Sequence, residues 1–137
     1  MSAAPQLAAD PNSKGKLWAG RIMSGLVMLF LLFDASMKLI KAAPVLDAMP
    51  KLGWPASLAF PLGAILLCCT ILYVIPQTSV LGAILMTGYL GGAVATHTRV
   101  GDPLFSHILF PTYLGILAWG GLYTRDARVR ALIPFRR

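Results

Sequence analysis

The sequence predicts an all-α membrane protein, a four-transmembrane-helix bundle with its N and C termini on the cytoplasmic side. Three observations carry this expectation: the apolar composition, the lengths of the apolar stretches, and the uneven share of lysine and arginine between the connections. Hydrophobic residues make up 57% of the 137 and charged residues only 12%, about half the charged share of an average soluble domain. The length admits one domain. A net charge of +7 raises the question of nucleic acid. The basic residues flank apolar runs and form no stripe interleaved with aromatics, so they are read as membrane-orienting and no nucleic-acid partner is expected.

Residues 1–16 are small and polar, with Pro5 and Pro11, and are expected to form a disordered tail. The first apolar stretch, Leu17 to Ile40, outruns a signal peptide and lacks a small-x-small cleavage site at its end, so it is expected to remain as a helix. The others run from Pro55 to Ile75, Ser79 to His97 and Leu104 to Tyr123. Each is near the ~20 residues that a helix needs to cross a ~30 Å hydrocarbon layer. No segment alternates apolar with polar residues as the strands of a membrane barrel do. The breaks are chemically sensible. Pro44, Pro50, Gly53 and Pro55 punctuate the first connection, Pro76-Gln77-Thr78 the second, and Gly101-Asp102-Pro103 the third. The second is so short that the helices it joins must form an antiparallel hairpin. The membrane domain thus covers residues 17–124, and a basic interfacial segment, 125–137, follows it.

Four spans put both termini on one side. That side carries Lys14, Lys16, Arg21, Arg125, Arg128, Arg130, Arg136 and Arg137, against Lys38, Lys41, Lys51 and Arg99 opposite. The positive-inside rule therefore favours cytoplasmic termini. Trp18, Tyr73, Trp119 and Tyr123 fall near inner ends and Trp54 and Phe105 near outer ends, as interfacial aromatics would. In the tail, Val129, Leu132 and Ile133 are spaced to share one helical face. The arginines around them suit a bilayer surface with anionic lipids.

Gly88 and Gly92 form a small-xxx-small pair in the third span, read as close packing within the bundle, with a homo-oligomer face as the alternative. Pro61 and Pro111 are expected to kink the second and fourth spans. Cys68 and Cys69 are adjacent, with side chains about 100° apart on a helix, so they read as packing residues rather than a redox pair.

The informative residues are the ionisable ones inside or at the ends of spans. Asp34 lies in the first span with Lys38 at i+4, where the two can pair. His97 ends the third span beside Thr96 and Arg99, and His107 sits a turn into the fourth. All of them fall near the outer surface. Intramembrane ionisable groups are costly and default to function. The bland alternative is a polar network tying helix ends together. Asp34 and His97 are the candidate catalytic pair, and Lys38, Thr96, Arg99 and His107 the candidate ligand-binding residues. No metal site is expected.

Several stretches are familiar: Phe33-Asp34-x-x-Met37-Lys38-Leu39-Ile40-Lys41, Leu72-Tyr73-x-Ile75-Pro76-x-Thr78, and above all Tyr89-Leu90-Gly91-Gly92-Ala93-Val94-Ala95-Thr96-His97-Thr98-Arg99-Val100-Gly101. With the tail Trp119-Gly120-Gly121-Leu122-Tyr123-x-Arg125-Asp126, they resemble the DoxX-like family of small bacterial membrane proteins over roughly residues 20–134. The resemblance implies a four-helix bundle in the bacterial inner membrane. Better-known relatives are linked to thiosulfate oxidation with quinone as acceptor and to membrane complexes against oxidative stress. The family pattern often has a glutamate three residues after the glycine of the second span. Here Gly63 is followed by Ala64, Ile65 and Leu66, so that carboxylate is absent.

Three functional classes follow. The first is a redox-associated subunit, working with a partner subunit, whose outer polar layer binds a quinone or other small lipophilic ligand. His97, Thr96, Arg99 and His107 would supply donors to the headgroup. A haem held by His97 and His107 is the less favoured cofactor. The second is a cofactor-free isomerase, cyclase or hydrolase with Asp34 and His97 as acid and base. GxSxG and HExxH motifs are absent from the sequence. The third is a non-catalytic accessory subunit. The quinone reading is taken first.

Overall fold

The chain is a multi-pass membrane protein. In the computed structural model, which describes residues 13–132, four helical stretches are long and apolar enough to span a bilayer: Lys14–Leu39, Ala56–Val74, Pro76–Arg99 and Leu104–Arg125. Six α-helices make up the described chain, and no strand occurs in it. They are α1 (Ser13–Leu39), α2 (Ala43–Lys51), α3 (Ala59–Val74), α4 (Ser79–Arg99), α5 (Phe110–Arg125) and α6 (Ala127–Leu132). Of the expected N-terminal tail, residues 1–12 lie outside the described residues. Ser13 to Lys16 instead belong to α1, as suits a segment whose lysines are good helix formers.

Two proline expectations are corrected. The first connection holds a helix of its own, α2, with Pro44 in its first turn, where a missing N–H has no intrahelical partner to lose. Pro61 and Pro111 likewise fall in the first turns of α3 and α5. They start helices and do not kink them. The fourth span is divided ahead of Pro111 by a π-type turn over Leu104–Ile108, closed by Leu109 N–H on the Leu104 carbonyl at 2.9 Å.

The four long helices neighbour one another in the cyclic order α1, α3, α4, α5. Buried Val27, Leu31, Leu66, Met86 and Leu122 fill the centre. Large apolar residues such as Leu29, Phe33, Ile65 and Ile116 are exposed around the outside, as lipid solvation allows. Lipid gives helices no hydrophobic drive to associate, so close backbone approach matters. A Cβ on Gly121 would run into Ser24 Oγ and lie 2.9 Å from the Gly20 carbonyl, and a Cβ on Gly20 would strike Thr124. This is the crossing of α1 and α5, and it sets the start of α1 beside the end of α5 at one end of the bundle. Gly82 lies equally close to the Tyr73 backbone, which closes the α3–α4 hairpin. Gly88, Gly91 and Gly92 have nothing within 4 Å of an added Cβ. The expected close packing at the Gly88–Gly92 pair is therefore absent from the bundle.

The tight crossing is locked by hydroxyls. Tyr73, fully buried, donates to the Ala118 carbonyl at 2.6 Å. Its proton is thereby committed, so Ser24 Oγ, 2.8 Å away, is the donor to the Tyr73 oxygen. Arg125 Nε donates in turn to Ser24 Oγ at 3.1 Å, and its guanidinium lies 5.8 Å from the Tyr73 ring centre. Tyr73 is thus a core tie between α1, α3 and α5 and not the interfacial aromatic that its position in the chain suggests. Cys69 is buried and Cys68 exposed, and neither is bridged.

Asp126 opens α6 by accepting the Arg128 N–H at 2.9 Å, and its carboxylate also takes the Arg128 guanidinium. Those hydrogen bonds hold its pKa below the usual carboxylate range. Arg128 reaches on to the Pro76 carbonyl at 2.9 Å, and Val129 is buried against the bundle. Leu132, expected on the same apolar face, is exposed, and Ile133 lies outside the described residues.

The glycines separate two kinds of position. Gly121→Ala should lower stability by about 1–3 kcal/mol through overpacking against Ser24 and Gly20. Gly91→Ala should stay within about 0.5 kcal/mol of the parent. Denaturation of both variants in mixed micelles measures the difference; equal effects would contradict the α1–α5 crossing.

Candidate functional site

At the end of the bundle opposite the start of α1, α1 and α4 stand apart across the ring and leave a cavity of about 380 Å³. The open glycines belong to it: Gly88 and Gly92 form part of its wall, where side chains would fill the space. Most of the lining is apolar, with Phe30, Leu62, Leu90 and Phe110 among it. Phe30 and Phe110 meet edge to face at 5.2 Å. The polar members are Asp34 and Lys38 from α1, Tyr89, Thr96 and His97 from α4, and the Trp54 indole.

Local backbone chemistry brings these groups together. Three helices end at this level in the same manner, with a residue in the left-handed region. α4 ends at Gly101 (φ 74), with the Asp102 N–H on the His97 carbonyl at 3.1 Å and the Gly101 N–H on that of Thr98. This is a Schellman cap. It turns the chain back so that Asp102 Oδ2 lies 2.6 Å from His97 Nδ1. α2 ends likewise at Gly53 (φ 81), with the Trp54 N–H on the Met49 carbonyl at 2.9 Å. Trp54 is thus set against α4, where its indole N–H lies 3.4 Å from Thr96 Oγ1. At the end of α1 the left-handed residue is Lys41 (φ 53), which carries a side chain where glycine is preferred.

Asp34 and Lys38 form the ion pair that their spacing predicts. The Lys38 ammonium also lies 5.6 Å from the Tyr89 ring centre, within cation–π range. Asp34 and His97 line the same cavity, but each has its own partner, Lys38 and Asp102. A carboxylate oxygen only accepts, so the His97 nitrogen facing Asp102, Nδ1, carries a proton. Nε2 is left as the nitrogen that a ligand can address.

The other candidates sit differently. Arg99 Nη2 donates to the Leu52 carbonyl at 2.8 Å, and a Cβ on Gly53 would meet its guanidinium. It clamps the end of α2 and lines a neighbouring groove, not the main cavity. His107 Nδ1 is 2.8 Å from Ser106 Oγ. Its ring leans on His97 at 5.9 Å between centroids, behind the cavity wall. Thr96 donates to the Gly92 carbonyl at 2.8 Å, so its free valence is an acceptor. Sequence reasoning missed Tyr89, Trp54 and Asp102. For Asp102 a signal exists: Gly101 after a polar helix end predicts a Schellman turn, and the next residue then falls beside His97.

Comparison with known proteins adds one finding: a family model described as the DoxX-like family matches residues 22–121, from the first turns of α1 to the Gly20–Gly121 crossing. No curated protein and no solved structure matches the chain.

The Asp34–Lys38 pair is testable as a unit. Asp34→Asn or Lys38→Met alone leaves one charge uncompensated in the span and should cost about 2.5 kcal/mol. Asp34→Asn/Lys38→Met together should cost less than either. Equal or greater loss in the double variant, measured by unfolding in micelles, would show the pair to be uncoupled.

Proposed function

The chain belongs to the DoxX-like family, and on that premise we propose that it binds a small lipophilic ligand of quinone type in the cavity between α1 and α4, as a redox-associated membrane subunit. The reading includes the bacterial inner membrane as location and cytoplasmic termini, by the lysine and arginine count, so that the cavity opens toward the outer leaflet. One observation carries it: an apolar cavity of about 380 Å³ with a few polar groups in its wall, Lys38 on α1 facing Tyr89 and His97 on α4. That is the division a quinone needs, with a ring and tail in apolar surroundings and two oxygens meeting polar partners.

The partners suit both redox forms. A quinone oxygen accepts only, and the Lys38 ammonium donates. A quinol hydroxyl donates, and in the neutral tautomer with its proton on Nδ1, toward Asp102, His97 accepts at Nε2. Trp54 and Phe110 supply flat apolar contact. Electrons would pass to or from a partner subunit.

A second reading, a cofactor-free isomerase or hydrolase, is favoured by the His97–Asp102 contact at 2.6 Å. A base oriented by a carboxylate is a recurring catalytic unit. In this form Asp102, and not Asp34, is the group beside His97. Mass spectrometry of material that co-purifies in detergent separates the readings: a bound quinone supports the first, a non-redox lipophilic metabolite the second.

Calorimetric titration with a short-tailed benzoquinone and its quinol tests the binding groups. The parent should bind both. Asp102→Asn removes the charge that holds the His97 proton on Nδ1, and should weaken quinol binding about tenfold while leaving quinone binding and thermal melting close to the parent's. Binding of neither form by the parent would overturn the proposal.

A further inference from the structure

Four cations converge on a second cavity at the end of the bundle where α1 starts and α5 finishes, away from the ligand cavity and independent of its reading. Lys14 and Lys16 from the start of α1, and Arg125 and Arg130 from the junction of α5 and α6, line a space of about 650 Å³ together with Leu17 and Thr124. Like charges gathered in this way repel one another, and among the described residues of the lining there is no carboxylate. Asp126, next to Arg125 in the chain, is engaged by the guanidinium of Arg128 at 2.9 Å. Arg128 in turn points to Pro76 and does not line the cavity.

The arginines are held in place. Arg125 Nε is fixed on Ser24 Oγ at 3.1 Å, itself anchored to buried Tyr73. Arg130 Nη1 is fixed on the Tyr123 carbonyl at 2.7 Å. Cations preorganised by such contacts lose little freedom when an anion arrives, and guanidinium groups pair with phosphate through charge-assisted hydrogen bonds. The setting selects the form of the anion. Leu17 gives the cavity an apolar wall. On the same first turns of α1, exposed Trp18 carries the Arg21 guanidinium over its ring at 5.4 Å, an arrangement suited to the bilayer interface.

We propose that this cavity is a binding site for the phosphate of an anionic phospholipid headgroup, with the acyl chains running along the apolar surface of α1. It differs from diffuse attraction of a basic tail to a charged surface, because two elements from opposite ends of the chain build one cradle.

Native mass spectrometry of the full chain, delipidated in detergent and titrated with phosphatidylglycerol or phosphatidylcholine, tests this. One phosphatidylglycerol per chain should be retained, in preference to phosphatidylcholine. Lys16→Gln and Arg130→Gln, both exposed and so tolerable to the fold, should each weaken retention about fivefold, from the ~1 kcal/mol that a basic residue contributes near an anionic lipid. Arg21→Gln removes a charge of the same end outside the cradle and should stay within twofold. Equal effects of Arg21→Gln and Arg130→Gln would overturn the site in favour of diffuse charge. Inorganic phosphate competing as well as the lipid would overturn the lipid assignment, and so would equal retention of the two lipids.

Discussion

The structure depends on the hydroxyl of Tyr73. In lipid a buried polar group has no water to fall back on, so each such group must find a partner within the protein. Tyr73 donates to the Ala118 carbonyl and accepts from Ser24, and Ser24 accepts from Arg125. Three helices are joined by one directed chain of hydrogen bonds. The chain forms only because Gly20 and Gly121 let α1 and α5 cross with their backbones close together. Removing either ingredient would strand the other. A wider crossing would lift Ser24 away from Tyr73, and without the hydroxyls a close crossing would gain only van der Waals contact.

Because the close contacts of α5 with α1, and of α4 with α3, fall toward the end where α1 starts and α5 finishes, the opposite half of the ring has room to open. The cavity between α1 and α4 occupies that room. Gly88 and Gly92 keep it open by having no side chains, which inverts their expected role. Helix caps then furnish its rim. The Schellman turn after α4 brings Asp102 to His97, and the turn after α2 brings Trp54 to Thr96, with Arg99 tying the end of α2 down. The polar residues at this level therefore divide into two sets. Arg99 and His107 brace the rim, whereas Lys38, Tyr89 and His97 line the cavity.

At the other end, the same Arg125 that closes the Tyr73 chain also lines the basic cavity. The fold's main tie and the proposed headgroup cradle thus share a residue. Occupancy of the cradle by an anion would offset the repulsion among its four cations, which gives the surrounding lipid a route to the stability of the core.

The sequence by itself determined the four spans, their order and the Asp34–Lys38 pair. These depend on composition and on spacing along one helix, and apolar length and an i+4 interval are local quantities. The cation-rich end was legible as well, since basic residues at helix ends can be counted. Which glycines meet a neighbour and which face a void was not legible, because Gly20 and Gly88 look alike in sequence and differ only in what lies across from them. Nor was the partner of His97. Asp34 and Asp102 are both carboxylates that the chain order allows near it, and the choice between them was made by the positive φ of Gly101, which folds Asp102 back onto α4. Tyr73 was misplaced at the interface for the same reason. An aromatic near a span end belongs to the belt or to the core according to the side of the helix that its neighbours cover, and only the tertiary structure decides that.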